Sequence, residues 1–248
     1  STLNATRRQR QMCIRDRLRT TRHSRKLRRG ALQGNAFRLR ARELAGDVDG
    51  LQERLQQVTA EGVPNYFGEQ RFGRDGSNLV TAARLFDRPG MRLSRHQRGL
   101  ALSAARAFLF NRVLGQRVAT GSWNRLLPGE AVQLAGSHSF FVVDSIDAEL
   151  EQRLQDRDIH PSGPMAGRGE PSVSGECRHL ESDCLAPFAD WIDGLAAAGL
   201  KQERRALRLI PLDIAWSWLS RGELLLEFSL PAGCYATSVL RELVQNGK

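Results

Sequence analysis

"VPNYFGEQRFGRDGSNL", residues 63–79, sets Tyr66, Phe67 and Phe72 among Gly68, Gly73 and Gly76, with Arg71 and Arg74 between them. Neither a helical nor an alternating period fits these rings, so they do not line one face of a regular element. Two readings stay open: a loop whose aromatics plug a core, or a platform for a planar ligand. The second has concrete chemistry. A base extruded from its stack needs a flat apolar surface and hydrogen-bonding groups for its edge. Tyr66 or Phe67 offers the surface, and the Asn65 amide offers a donor and an acceptor. The glycines admit close backbone approach, and Arg71 and Arg74 reach phosphate oxygens. The stretch is no P-loop, because it lacks the Gly-Lys-Ser/Thr ending and follows a helix.

Upstream, "AFRLRA" alternates apolar Ala36/Phe37, Leu39 and Ala41 with Arg38 and Arg40, a half-buried strand with a basic outer face. Asp47 then caps a helix carrying Val48, Leu51, Leu55 and Val58, ended by Gly62 and Pro64. Downstream, a helix is expected from about Asn78 to Phe86. Residues 100–118 read as the strongest helix, and "AVQLAGSHSFFVV" as two short strands around a Gly-Ser-His turn. A helix near 147–156 leads into residues 160–176, where ten of seventeen are Pro, Gly or Ser, expected as a loop. "FADWIDGLAAAGL" and "QERRALRL" read as helical. "ELLLEFSL" is a strand stopped by Pro231, and "YATSVLRELVQ" a closing helix. A strand and helix at each end of a mostly helical middle predict an α+β fold with a helical insertion.

The 248 residues are enough for one large or two modest domains. The net charge of +10 is local. Residues 1–42 hold 14 Lys/Arg and one acid, whereas the other 206 residues hold 23 bases and 26 acids. Such an arm suits a polyanion or is a solvated tail. Four cysteines do not make a disulfide scaffold, and the spacing of Cys177, His179 and Cys184 fits no common zinc pattern. No histidine stands in a recognisable nucleophile motif. With no long apolar run and no leader-like stretch, a cytoplasmic protein is expected.

Three segments in order, "RHSRKLRRGALQGNAF", "VPNYFGEQRFGRDGSNL" and "LPAGCYATSVLREL", resemble the signatures of the TruD family of tRNA pseudouridine synthases. The resemblance covers roughly residues 20–246. It implies an enzyme that isomerises uridine-13 of tRNA to pseudouridine, working as a monomer with no metal or cofactor. Asn65 stands at the family's uridine-contacting asparagine. Tyr235 stands where the family has an aromatic, usually phenylalanine, at the target base. Phe67 and Arg71 join them as substrate-binding residues, and Arg25, Lys26 and Arg28 match basic positions along the RNA backbone. Residues 18–89 and 210–248 would form a pseudouridine-synthase catalytic domain with a mixed or antiparallel sheet. Residues 90–209 would be the family's insertion domain.

One departure is large. The family's nucleophilic aspartate lies well upstream of the "RHSRKLR" region, and only Asp16 in "IRDRLRTT" mimics it, too close to His23. Residues 1–17 show no apolar periodicity, and "QMCIRDR" resembles a recurrent contaminant of assembled reads. An N-terminally truncated, inactive synthase is therefore expected, with open sheet edges at the strands 35–41 and 223–230. The alternative is a non-catalytic RNA-binding protein.

Overall fold

The computed structural model describes residues 33–244, apart from Pro89 and the side chain of Val48. From Gly34 onward the chain is one compact unit. Strand β1 (Gly34–Ala41) leads to helix α1 (Val48–Glu61), whose N-cap Asp47 accepts from the Gly50 amide at 2.9 Å. A short strand β2 (Val63–Pro64) follows, then two 3₁₀ turns spanning residues 69–76 and helix α2 (Ser77–Asp87). Helix α3 (Arg95–Ala119) is the longest. It opens on a capping box in which Ser94 and Gln97 satisfy each other's backbone donors. The chain then runs through β3 (Glu130–Leu134), β4 (Phe140–Val143), α4 (Ala148–Gln155), β5 (Ile159–Met165), α5 (Gly175–Leu185) and α6 (Ala189–Ala197). It finishes with β6 (Glu203–Ala206), β7 (Arg208–Leu209), β8 (Leu212–Ser220), β9 (Glu223–Pro231) and α7 (Ala236–Leu243).

The strands make antiparallel sheets in the orders β1-β9-β8 and β4-β3-β5-β6, with β2 paired to β7. In the first sheet β9 buries Leu224, Leu226, Phe228 and Leu230 against Leu51, Leu55 and Val58 of α1 and Val239 and Leu243 of α7. The alternation expected at residues 36–41 is realised: Phe37, Leu39 and Ala41 pack on this core, while Arg38 meets Glu227 across the strands at 3.2 Å. The strand at 223–230 does not lie at an edge as expected. It is the centre of its sheet, because β8, which the sequence reading missed, pairs with its other side.

The middle of the chain carries a four-stranded sheet besides its helices. Two of its strands were misread. Residues 160–176 were expected to be a loop, yet Ile159–Met165 is an interior strand buried along most of its length. Its small residues serve close packing rather than flexibility. A Cβ on Gly163 would meet Leu207 Cδ2 at 2.8 Å and Phe110 Cε2 of α3 at 3.0 Å. "QERRALRL" was expected to be helical and is instead β6 and β7. Pairing with β5 and β2 overrides the local helix preference of Glu, Arg, Ala and Leu.

Charge is buried in this layer, and it is paired. Arg117 is 1% exposed and donates to Glu130 Oε2 at 2.9 Å and to the Ser122 and Arg125 carbonyls. Arg204 of β6 grips Glu181 of α5 through two nitrogens, at 2.7 and 2.9 Å, and also bonds Ser162 of β5. Removing one member of such a pair strands the other in a low dielectric. Arg204→Met should therefore cost about 3–5 kcal/mol in urea denaturation. The double change Arg204→Met/Glu181→Leu should recover most of that loss; a double variant no better than the single would show that burial, not pairing, sets the cost.

His160 on β5 accepts from Arg208 Nε at 3.2 Å through Nδ1. Burial, with Arg208 beside it, lowers its pKa to about 4. The unfolded chain binds this proton near pH 6.5 and the folded one does not, so stability is complete above pH 6.5 and falls between there and pH 4. The loss should reach about 3 kcal/mol. His160→Asn, which keeps an acceptor, should flatten that part of the pH–stability curve.

Candidate active site

Residues 65–72 leave β2 and are fixed by backbone bonds to three other segments. The Asn111 amide of α3 clamps Phe67, accepting from its N–H at 2.9 Å and donating to its carbonyl at 3.0 Å. Ser238 of α7 donates to the Tyr66 carbonyl, and Asn78 of α2 to the Arg71 carbonyl. The rings so held form a small core with Ala107, Phe110 and Leu114 of α3 and Leu207. Phe67 is 8% exposed and edge-on to Phe110 and Tyr235, at 5.5 and 6.0 Å between centroids. Tyr66, Phe72 and Tyr235 pack around it half-buried. The core-plug reading holds for Phe67, and the rings near it carry cations.

Arg71 extends from the first 3₁₀ turn. Its Nε donates to the Tyr235 hydroxyl and its Nη1 to Ser103 of α3, each at 2.9 Å. Its guanidinium lies 5.5 Å from the Phe67 centroid and 5.9 Å from that of Tyr235. The phenolic oxygen by which Tyr235 differs from phenylalanine is thus the acceptor that holds Arg71. Phe67, Arg71 and Tyr235 are thereby brought together, and Asn65 joins them through Arg205. Asp16, Arg25, Lys26 and Arg28 lie outside the described residues.

Asn65 is 4% exposed, and both ends of its amide are taken. Its Nδ2 donates to the Ala206 carbonyl at 2.8 Å, and its Oδ1 accepts from Arg205 Nη2 at 2.7 Å. Arg205, absent from the sequence reading, is the cation next to it. Its guanidinium stacks 4.2 Å from the Phe67 centroid and also donates to the Gly233 carbonyl, two residues before Tyr235. Burial draws its pKa down, with Arg71 adding to the drop against Cys234 and Tyr235. The Cys234 thiol is pushed up by burial and stays protonated. Among the described residues, neither Arg71 nor Arg205 forms an ion pair with a carboxylate. Glu203, two residues along the same strand, pairs with Arg106 at 3.1 Å. No signal within "QERRALRL" marks Arg205, because its aim exists only once those residues form a strand.

Tyr235 depends on a glycine across from it. A Cβ on Gly68 would meet Thr237 Oγ1 at 2.8 Å and Tyr235 Cδ1 at 3.1 Å. Gly68→Ala should displace the Tyr235 ring and destabilise the chain by about 1–3 kcal/mol. Near-ultraviolet dichroism should register the movement while far-ultraviolet dichroism stays that of the parent; an unchanged aromatic signal would show that the ring does not need this gap.

The family model for "tRNA pseudouridine synthase D (TruD)" matches residues 14–85 and 77–243. Curated proteins named tRNA pseudouridine synthase D are similar along most of the chain. That of Nitrosococcus oceani is 52% identical over 229 residues, 92% of this chain and 64% of the relative. That of Methylococcus capsulatus is 51% identical over 228 residues, with the same shares. The chain thus spans 64% of the length of these relatives. Among solved structures, the putative tRNA pseudouridine synthase D of Methanosarcina mazei superposes with a TM-score of 0.63 at 20% identity, covering 86% of this chain and 69% of that one. That likeness establishes the α+β fold. With its motif residues gathered in one cluster and the family match running through both sheets, this chain belongs to the tRNA pseudouridine synthase D family.

Proposed function

We propose that this chain is the RNA-binding and base-positioning part of a tRNA pseudouridine synthase that acts on uridine-13. The observation that carries the reading is the cluster of Phe67, Arg71 and Tyr235 in mutual contact, to which Arg205 ties Asn65, across 170 residues of sequence. Arg71 and the Tyr235 ring are the substrate-facing pair, and the Asn65 amide acts through Arg205. The catalytic domain comprises residues 18–89 and 210–248, and residues 90–209 form the insertion domain. The segregation of strands supports that division: one sheet is drawn from 34–41 and 212–231, the other from 130–206. The protein works as a cytoplasmic monomer. Among the described residues no helix is long and apolar enough to cross a membrane.

The isomerisation breaks the bond between N1 of uracil and C1′ of the ribose, turns the base, and joins C5 to C1′. N1 gains a proton and C5 loses one, so no co-reactant is consumed. A carboxylate that attacks the nucleotide drives this chemistry in the family, and the described cluster supplies cations and rings without one. By itself, then, the chain binds tRNA and does not turn it over, because removing a nucleophile costs orders of magnitude while binding contacts are spread over many groups. Arg38 and Arg40 face Glu227 and Glu223, so these two charges of the arm are paired within the sheet. Filter binding over a range of salt should show tRNA affinity falling steeply as salt rises. Tritium release from C5-labelled tRNA should stay at background. Release that disappears in Asp16→Asn would show that the chain carries its own nucleophile, and salt-independent binding would remove the RNA reading.

A further inference from the structure

We propose that Arg71 and Arg205 together form an oxyanion site, and that its ligand is a phosphate group of the bound nucleotide strand. Arg205 has no place in the motifs that mark the family cluster. It comes from β6, whereas Arg71 comes from the 3₁₀ turn after β2. Both guanidiniums sit against Phe67, at 4.2 and 5.5 Å from its centroid. Among the described residues, every polar group bonded to them is neutral: the Asn65 amide, the Gly233 carbonyl, the Ser103 and Tyr235 hydroxyls, and the protonated Cys234 thiol.

Arg205 Nε is sealed from solvent and has no acceptor. A sealed donor without a partner is costly, and a partly desolvated cation without a counter-ion adds to that cost. Among the described residues, two buried arginines have a resident carboxylate, Arg117 with Glu130 and Arg204 with Glu181. Arg106, whose Nε also lacks an acceptor, still pairs with Glu203, and Arg208 is held by His160 and the Leu154 carbonyl. The contrast between Arg204 and its neighbour Arg205 is the core of the case. One arginine of the dipeptide has a resident carboxylate, and the other is held in place by neutral oxygens that fix its position without cancelling its charge. A doubly guanidinium-lined position of this kind accepts a phosphate through several charge-assisted bonds. That the phosphate belongs to a tRNA rests on the function proposed above; the anion site itself does not.

The test is thermal unfolding of the full 248-residue chain with inorganic phosphate at constant ionic strength, beside acetate. Phosphate that binds the folded state alone raises the melting temperature with concentration. General stabilisation by phosphate as an excluded salt is common to all variants, so the difference between parent and variant carries the result. The parent should respond to phosphate more than to acetate, and Arg205→Met and Arg71→Met should each weaken apparent phosphate affinity by about tenfold or more, some 1.4 kcal/mol. Should Arg205→Met fail to fold, Arg71→Met and Arg205→Lys carry the comparison, the lysine retaining charge but not the planar fork. The same shift in the parent and in the folded variants overturns the site. An equal response to acetate overturns the phosphate assignment in favour of a carboxylate. A phosphate response without tRNA binding would sink the function and leave the site; tRNA binding without a phosphate response would do the reverse.

Discussion

The ion pair between Arg204 and Glu181 fixes the register of β6, and the cluster around Asn65 depends on that register. Successive side chains on a strand point to opposite faces, so a slip by one residue would exchange Arg204 and Arg205. Hydrophobic patterning alone would not prevent it, because Glu203-Arg204-Arg205-Ala206 offers little apolar contrast. The Glu181 carboxylate and the core prevent it together. Glu181, buried on α5, demands an arginine, and supplying Arg205 instead would drive Arg208 into the place of Leu207, which is fully buried among Phe67, Phe110 and Leu114. With Arg204 committed inward, Arg205 is aimed at Asn65 and Phe67, and the Ala206 and Leu207 carbonyls are set to receive the Asn65 amide and backbone N–H. A buried salt bridge adds little net stability compared with a well-packed apolar pair. Its contribution here is specificity of alignment.

The aromatic loop shows how one short stretch serves packing and gathers charge together. Phe67 is covered on all sides and is the anchor of a small core against α3. The rings at its margin, Tyr66 and Tyr235, are half-buried and each lies under a guanidinium, Arg241 at 4.8 Å for Tyr66 and Arg71 at 5.9 Å for Tyr235. Ring faces attract cations, and the attraction grows where water is excluded. The cluster therefore gathers positive charge without surrendering the apolar support that keeps it rigid. Asn65, the polar group that seemed free to read a base edge, is instead an internal brace between β2, β6 and Arg205.

Much of the fold was legible in the chain itself. The α1 cap at Asp47, the alternation of Phe37 and Leu39 with Arg38 and Arg40, the long stripe of α3, and the turn between β3 and β4 are all local signals, and each sits where it was expected. The Pro/Gly/Ser-rich β5 was not legible. Its composition marks a flexible loop until Phe110 and Leu207 are seen to leave no room for a Cβ at Gly163. The β6 strand was hidden because its residues are good helix formers, and only its partners overrule them. β9 could be recognised as a strand, but its central place could not, since that is a property of β8 beside it.

The sequence by itself determined the family, the α+β character and the positions of Asn65, Phe67, Arg71 and Tyr235, because these are carried by residue types at fixed spacing along the chain. The tertiary structure decided what those residues face. It spent the Asn65 amide internally, turned Phe67 into a core residue, made the Tyr235 hydroxyl the acceptor for Arg71, and brought in Arg205 from a segment with no motif. The physical reason is the same in each case. Burial and hydrogen-bond partnership are relations between segments far apart in sequence, set by strand register and helix packing, and no residue carries them alone.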